Sequence, residues 1–151
     1  MEPDTGIDAP GIATELETAR KLLQDGRNVK ARRHCRNVLD AEPNNVEALL
    51  LLADSSTTSG RAKEKLGYLN RALELSPQDV NIRVACAEQL ALQNDFHGAI
   101  AQLEIVLSQT PEHDQALATL AVALQTLGRL EEAREHYQRA LKLAGHDARL
   151  N

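Results

Sequence analysis

Apolar residues recur every three or four positions along almost the whole chain, and the recurrence breaks at fixed steps. The pattern is clearest in residues 114–147. Leu117, Leu120, Ala121 and Leu124 fall on one helical face, Gly128 interrupts it, and Ala133, Tyr137, Ala140 and Leu141 resume it. This spacing predicts two amphipathic helices joined by a tight turn. Shifting the block back by 34 residues finds it three more times.

The repeats are 12–45, 46–79, 80–113 and 114–147. In the first, Ile12, Leu16, Ala19 and Leu22 form one face and Ala31, Cys35, Val38 and Leu39 the other. In the second the faces are Leu49, Leu52 and Ala53, then Leu69, Ala72 and Leu73. In the third, Cys86, Ala87 and Leu90 answer Ala99, Leu103, Val106 and Leu107. Punctuation keeps the same step. Gly26, Gly60, Asn94 and Gly128 take the turns, where glycine or asparagine tolerates a left-handed backbone. Pro43, Pro77 and Pro111 stop the second helices, and Gly145 stands where a fourth proline would. The prediction is an all-α chain of eight helices in four antiparallel pairs. Residues 1–11, with two prolines and two glycines among acids, read as a mobile leader. Asp147 reads as the N-cap of an incomplete next helix over 148–151.

Composition sharpens this reading. Aromatics are 2% and tryptophan is absent, while leucine and alanine supply most of the apolar content, which suits helices rather than strands. No apolar run approaches a membrane span, and the first residues resemble neither a secretory signal nor a transit peptide, so the expected location is cytoplasmic. Cys35 and Cys86 lie on apolar faces without metal-ligand spacing and read as buried small hydrophobes. The five histidines are scattered, and no phosphate loop, zinc motif or catalytic triad is present. The expectation is therefore no catalytic residue, no cofactor and no metal. The net charge of −5 is uneven. Residues 12–45 carry seven basic and five acidic residues. Arg27, Lys30, Arg32, Arg33 and Arg36 crowd one predicted helix, either as a solvated face or as a dock for an acidic partner. With no global basic field, neither nucleic acid nor membrane is an expected partner.

The phased turns and stops are those of the tetratricopeptide repeat family, which the chain resembles over residues 12–147. The family's small residue at repeat position eight is matched by Ala19, Ala53, Ala87 and Ala121, and the one at position twenty by Ala31, Ala99 and Ala133. Two departures stand out. Glu15 and Thr18 replace large apolar residues in the first repeat, as suits a water-facing cap. In the second repeat, Lys65 takes the small position and Ser56 the bulky one opposite. Either the Lys65 methylenes fill the space, or the helix rotates to use Ala62 and Leu66.

The resemblance implies a right-handed superhelical solenoid whose first helices line a concave groove. The family's groove positions then select Leu16, Leu50, Val84 and Ala118 as an apolar stripe. Arg20, Asp54, Glu88 and Val122 follow at position nine, and Glu47, Asn81 and Gln115 at position two. Leu23, Gln24, Thr57, Thr58, Ala91, Leu92, Gln125 and Thr126 complete the surface. Such a groove suits a protein or peptide with apolar anchors and a basic residue, although Leu50 and Val84 would equally serve internal packing. Two groove chemistries of the family do not carry over. The carboxylate clamp for chaperone tails wants cations and amides where Leu16, Leu50 and Val84 stand. The asparagine ladder of O-GlcNAc transferases wants asparagine where Glu17, Leu51, Ala85 and Thr119 stand.

The implied role is a non-catalytic interaction scaffold. The alternative is a homo-oligomerisation module, or the recruiting N-terminal arm of a larger bacterial enzyme such as a glycosyltransferase or sulfotransferase. Tyr137, Leu141 and Leu143 point to where a next repeat would stack. This predicts either a longer chain or end-to-end pairing.

Overall fold

The computed structural model describes residues 9–56 and 61–147. Among them are eight α-helices and no strand: α1 (Ala9–Gln24), α2 (Asn28–Ala41), α3 (Val46–Asp54), α4 (Ala62–Leu75), α5 (Val80–Leu92), α6 (Phe96–Gln109), α7 (Asp114–Thr126) and α8 (Leu130–Asp147). The first three residues of α1 fall in the stretch read as leader. The helices gather into two compact units that meet in sequence at Pro77 and Gln78, each holding two repeats. The first unit packs α1 on α2, α2 on α3 and α3 on α4, and α1 also touches α3. The second repeats the scheme with α5 to α8.

The turns form as the sequence predicts. Gly26, Asn94 and Gly128 have φ of 72°, 64° and 77°. In each turn the next amide reaches back five residues: Arg27 to Leu22 at 2.8 Å, Asp95 to Leu90 at 2.9 Å and Arg129 to Leu124 at 2.9 Å. These bonds satisfy carbonyls that a helix end leaves open. Gly60, Thr57 and Thr58 lie outside the described residues. Helices α2, α4 and α6 each end two residues before their proline, because the residue before proline is steered out of helical geometry. The fourth repeat differs. Without a proline, α8 runs through Gly145 to Asp147, so Asp147 belongs to that helix, and residues 148–151, expected to begin a next one, lie outside the described residues. A helical glycine costs only about 1 kcal/mol relative to alanine, too little to stop a helix that nothing else breaks.

Side-chain caps fix four helix starts. Asn45 accepts from the Ala48 amide at 2.9 Å, Asp79 from Asn81 and Ile82, and Asp95 from Gly98 at 2.9 Å. His113 accepts through Nδ1 from Ala116 at 3.2 Å. In sequence His113 is one of five scattered histidines. It holds the start of α7.

Each unit has its own core. In the first, Ile12, Leu16, Ala19, Cys35, Val38 and Leu52 pack together. In the second, Val84, Ala99, Leu103, Val106, Leu120 and Leu124 do so. The alanines at positions eight and twenty are at most 3% exposed, which lets helices approach to about 8 Å. Burial raises both cysteine thiols to about 11, so Cys35 and Cys86 stay protonated and serve as core atoms. Two members of the expected apolar stripe are core residues instead. Leu16 is 7% exposed and Val84 3%, because each turns into the hairpin of its own unit.

Three polar arrangements correct the sequence picture. Arg32, read as part of a solvated patch, is buried in α2. It donates to the Ser56 hydroxyl at 3.2 Å and forms a two-pronged pair with Glu64 of α4, which also accepts from Tyr68. The polar Ser56 is therefore met by Arg32, while Lys65 is half-buried. Glu15, read as facing water, is tied to α2 through His34 at 2.7 Å and Asn37 at 3.4 Å. Finally, Arg71 and Arg139 stand in the same register of the second and fourth repeats. They donate to the carbonyls of Pro43 and Pro111, joining consecutive repeats within each unit.

Glu64→Ala strands the Arg32 guanidinium. Since a third of the Glu64 side chain stays exposed, the expected loss is about 2 kcal/mol rather than the full cost of an unpaired buried charge. The hydrogen bond from Arg32 lowers the Glu64 pKa. The pair therefore contributes fully above the ordinary glutamate value of 4.5 and fades as pH falls through the depressed one. Denaturant melts at several pH values should show acid destabilisation in the parent that is reduced in Glu64→Gln.

Val84→Glu should unfold the second unit or cost about 3 kcal/mol or more, whereas Leu50→Glu, at a half-buried site, should cost far less. Equal thermal shifts for the two would contradict the assignment of Val84 to the core.

Candidate functional site

The second unit holds a cavity of about 490 Å³ lined by α5, the start of α6, α7 and α8. Glu88, Gln89, Ala91 and Leu92 come from α5, Phe96 heads α6, Ala118, Thr119 and Val122 come from α7, and Tyr137 closes the set from α8. Its size falls in the range of ligand pockets. Leu92 and Val122 are 73% and 50% exposed, so the apolar lining continues onto the open surface.

Residue size explains why the cavity exists. In the first unit, the positions of Ala118 and Thr119 hold Leu50 and Leu51, and that of Val122 holds Asp54. Leu51 is buried in the first core. Two small side chains in α7 thus leave open what two leucines fill in α3. The aromatic lining has a second origin. The chain contains two tyrosines and one phenylalanine, and two of these three rings meet in this cavity. Scarcity of aromatics was the signal that could have singled out Phe96 and Tyr137.

Glu88 is the only ionisable acid or base of the lining apart from the tyrosine hydroxyl. It is half-buried and accepts through Oε1 from Gln115 Nε2 at 2.6 Å. The same register in the first unit pairs Arg20 with Glu47, and Arg20 also reaches Glu17 at 2.6 Å. Positions nine and two, both assigned to the groove from sequence, therefore bond to one another between consecutive repeats. Asn81 and Asp54 are exposed. Of the expected groove residues, the cavity gathers Glu88, Ala118, Val122, Ala91 and Leu92. Leu16 and Val84 are in the cores, and Leu50 is half-buried in the first unit.

Tyr137 needs a correction. It was assigned to end-to-end association, yet it packs against the second core and donates its hydroxyl to Gln125 of α7 at 2.9 Å. Facing α7, it completes the cavity. Leu141 is 70% exposed and Leu143 half-buried.

A second cleft, of about 290 Å³, lies between α6, α7 and α8 with Glu104, Arg129, Glu132, His136 and Arg139 around it. Its charges are largely spent on one another: Arg129 holds Glu132 through two bonds of 2.7 and 2.6 Å. Burial, with Arg139 nearby, lowers the His136 pKa, and its buried Nδ1 has no hydrogen-bond partner among the described residues. Among the described residues no group of three or more His, Cys, Asp or Glu side chains is placed to hold a metal ion. No described helix is long and apolar enough to cross a membrane.

The geometry is that of an antiparallel helical-repeat protein with an open apolar cavity on its first helices. The tetratricopeptide repeat model matches residues 16–80 and 90–148, and the chain belongs to that family. The solved structure of MamA superposes with a TM-score of 0.84 over 91% of this chain and 81% of its own, at 17% identity. MamA from residue 41 onward, from Desulfovibrio magneticus RS-1, gives 0.82 over 91% and 77%, at 20% identity. These likenesses establish the shared all-α repeat fold. Among curated proteins, the chain is 32% identical over 89 residues to the probable biofilm formation methyltransferase WspC of Pseudomonas putida, which covers 59% of this chain and 21% of that protein. It is 30% identical over 111 residues to tetratricopeptide repeat protein 7B of Mus musculus, covering 72% of this chain and 13% of that one. The chain thus spans about a fifth or less of these relatives.

Proposed function

We propose that this chain is a non-catalytic protein-interaction scaffold whose second unit receives an apolar side chain of a partner segment, with a basic residue beside it pairing with Glu88. The observation that carries the reading is the 490 Å³ apolar cavity with a single carboxylate at its edge. Transfer of an aliphatic or aromatic side chain into such a cavity is worth about 1.5–3 kcal/mol. Only one oxygen of Glu88 carries a bond among the described residues, so the other can accept from a lysine or arginine. The second unit carries ten acidic and six basic residues, a field that favours a cationic segment.

Selection of a random dodecapeptide library on the parent protein tests this. Selected peptides should share an apolar residue close to Lys or Arg. Ala118→Leu, which fills the cavity, should weaken them about tenfold or more, and Glu88→Gln should relax the demand for the basic residue. Selected peptides that bind Ala118→Leu as tightly as the parent would sink the proposal.

Leu141 favours a second reading, self-association through the exposed side of α8 with Leu143 beside it. Sedimentation at rising concentration should show an oligomer that Leu141→Glu returns to monomer; a parent that stays monomeric throughout would rule this out. The likeness to part of a methyltransferase-named protein supports a recruiting-arm role of either kind within a longer enzyme.

A further inference from the structure

The basic cluster of α2 divides once Arg32 is known to be internal. Arg27, Lys30, Arg33 and Arg36 remain, all exposed, and none makes an ion pair among the described residues. Five arginines elsewhere are engaged. Arg20, Arg129 and Arg134 hold acids, and Arg71 and Arg139 hold carbonyls. The exposed cations of α2 stand four within ten positions.

Their placement is also unfavourable for the helix that carries them. Like charges three residues apart repel by a few tenths of a kcal/mol per pair. Positive charge near a helix N-terminus opposes the helix dipole. The other second helices each carry an acid at or near the start: Asp95 caps α6, Glu64 lies in the first turn of α4, whose N-cap Arg61 is also without a cap bond, and Glu131 and Glu132 lie in that of α8. In α2 the N-cap is Arg27, with no side-chain cap bond, and the first turn has no acid. Val29 adds an independent observation. It is 77% exposed, the most of any large apolar residue among the described ones, and lines a shallow cleft of about 310 Å³ with Gly26, Arg27, Asn28 and Lys30. Val29, Arg33 and Arg36 follow at spacings of four and three, which puts the valine and the cations on one side of α2.

We infer that this side of α2 is a docking surface for a short acidic segment of a partner protein, with an apolar side chain seated on Val29. A short segment fits better than a nucleic acid or an anionic membrane. The chain as a whole is −5, and the Debye length at physiological salt is about 8 Å. A segment that touches only the start of α2 meets a patch of net positive charge, with Asp25 and Asp40 at its edges. An extended polyanion or a lipid surface also meets the acids elsewhere on the protein. This surface is separate from the cavity of the second unit, and either can fail without the other.

The test is fluorescence anisotropy with a labelled short peptide of glutamates interrupted by leucine. The full chain should bind it at about 50 mM salt and lose most of the binding by about 300 mM. Arg33→Glu with Arg36→Glu should weaken binding about tenfold or more. Arg33→Gln with Arg36→Gln should give a smaller loss and decides the matter if the reversal disturbs the fold by circular dichroism. Val29→Asp should weaken the leucine-containing peptide more than an all-glutamate one. Lys63→Glu, elsewhere on the first unit, and Ala118→Leu, in the second-unit cavity, should leave affinity within about twofold. The inference is overturned if the peptide does not bind at low salt, or if neither double substitution at Arg33 and Arg36 weakens it. It is also overturned if duplex DNA or phosphatidylglycerol vesicles bind as tightly through the same arginines.

Discussion

A helical hairpin cannot bury its apolar faces alone, and everything in this protein follows from that shortage. Each pair of helices must find a neighbour, and the neighbour must come close. Alanines at the contact positions make this possible: Ala19, Ala53, Ala87 and Ala121 have no exposed surface at all. Close approach then brings polar groups of successive repeats within reach. Arg71 and Arg139 find the carbonyls of Pro43 and Pro111 in the same register. These polar links add direction to contacts that the hydrophobic effect alone would leave free to slide.

The two units show how one backbone scheme supports different surfaces. In α3, Leu50 and Leu51 occupy the space that Ala118 and Thr119 leave open in α7. The fold is the same because the small residue at position eight is alanine in all four repeats. The surface differs because the positions beside them are not constrained by that approach. Tetratricopeptide repeats can in this way keep their architecture while their recognition chemistry varies.

Much of the fold was legible because its signals are local. A turn that needs positive φ selects Gly26, Asn94 or Gly128, and a proline stops a helix whatever lies around it. The site was less legible because register gives direction but not depth. Leu16 and Val84 share the groove position with Ala118, yet their bulk carries them into the cores. Arg32 is one of five basic residues within ten positions, and only the approach of Glu64 and Ser56 distinguishes it. Tyr137 stands in a register whose outlook depends on the presence of Gln125 opposite. Gly145 misled for a simpler reason: it permits a break without requiring one.

The Asp95 cap has a consequence for how this chain can change. Gly98 sits in the first turn of α6, where alanine would ordinarily gain about 1 kcal/mol of helix propensity. A Cβ there would press inside van der Waals contact with the Asp95 carboxylate that accepts from the Gly98 amide. Displacing that carboxylate forfeits a cap worth about 1 kcal/mol. The gain and the loss nearly cancel. Gly98→Ala is thus close to neutral, and what the glycine contributes is room for its neighbour's cap rather than a special backbone conformation.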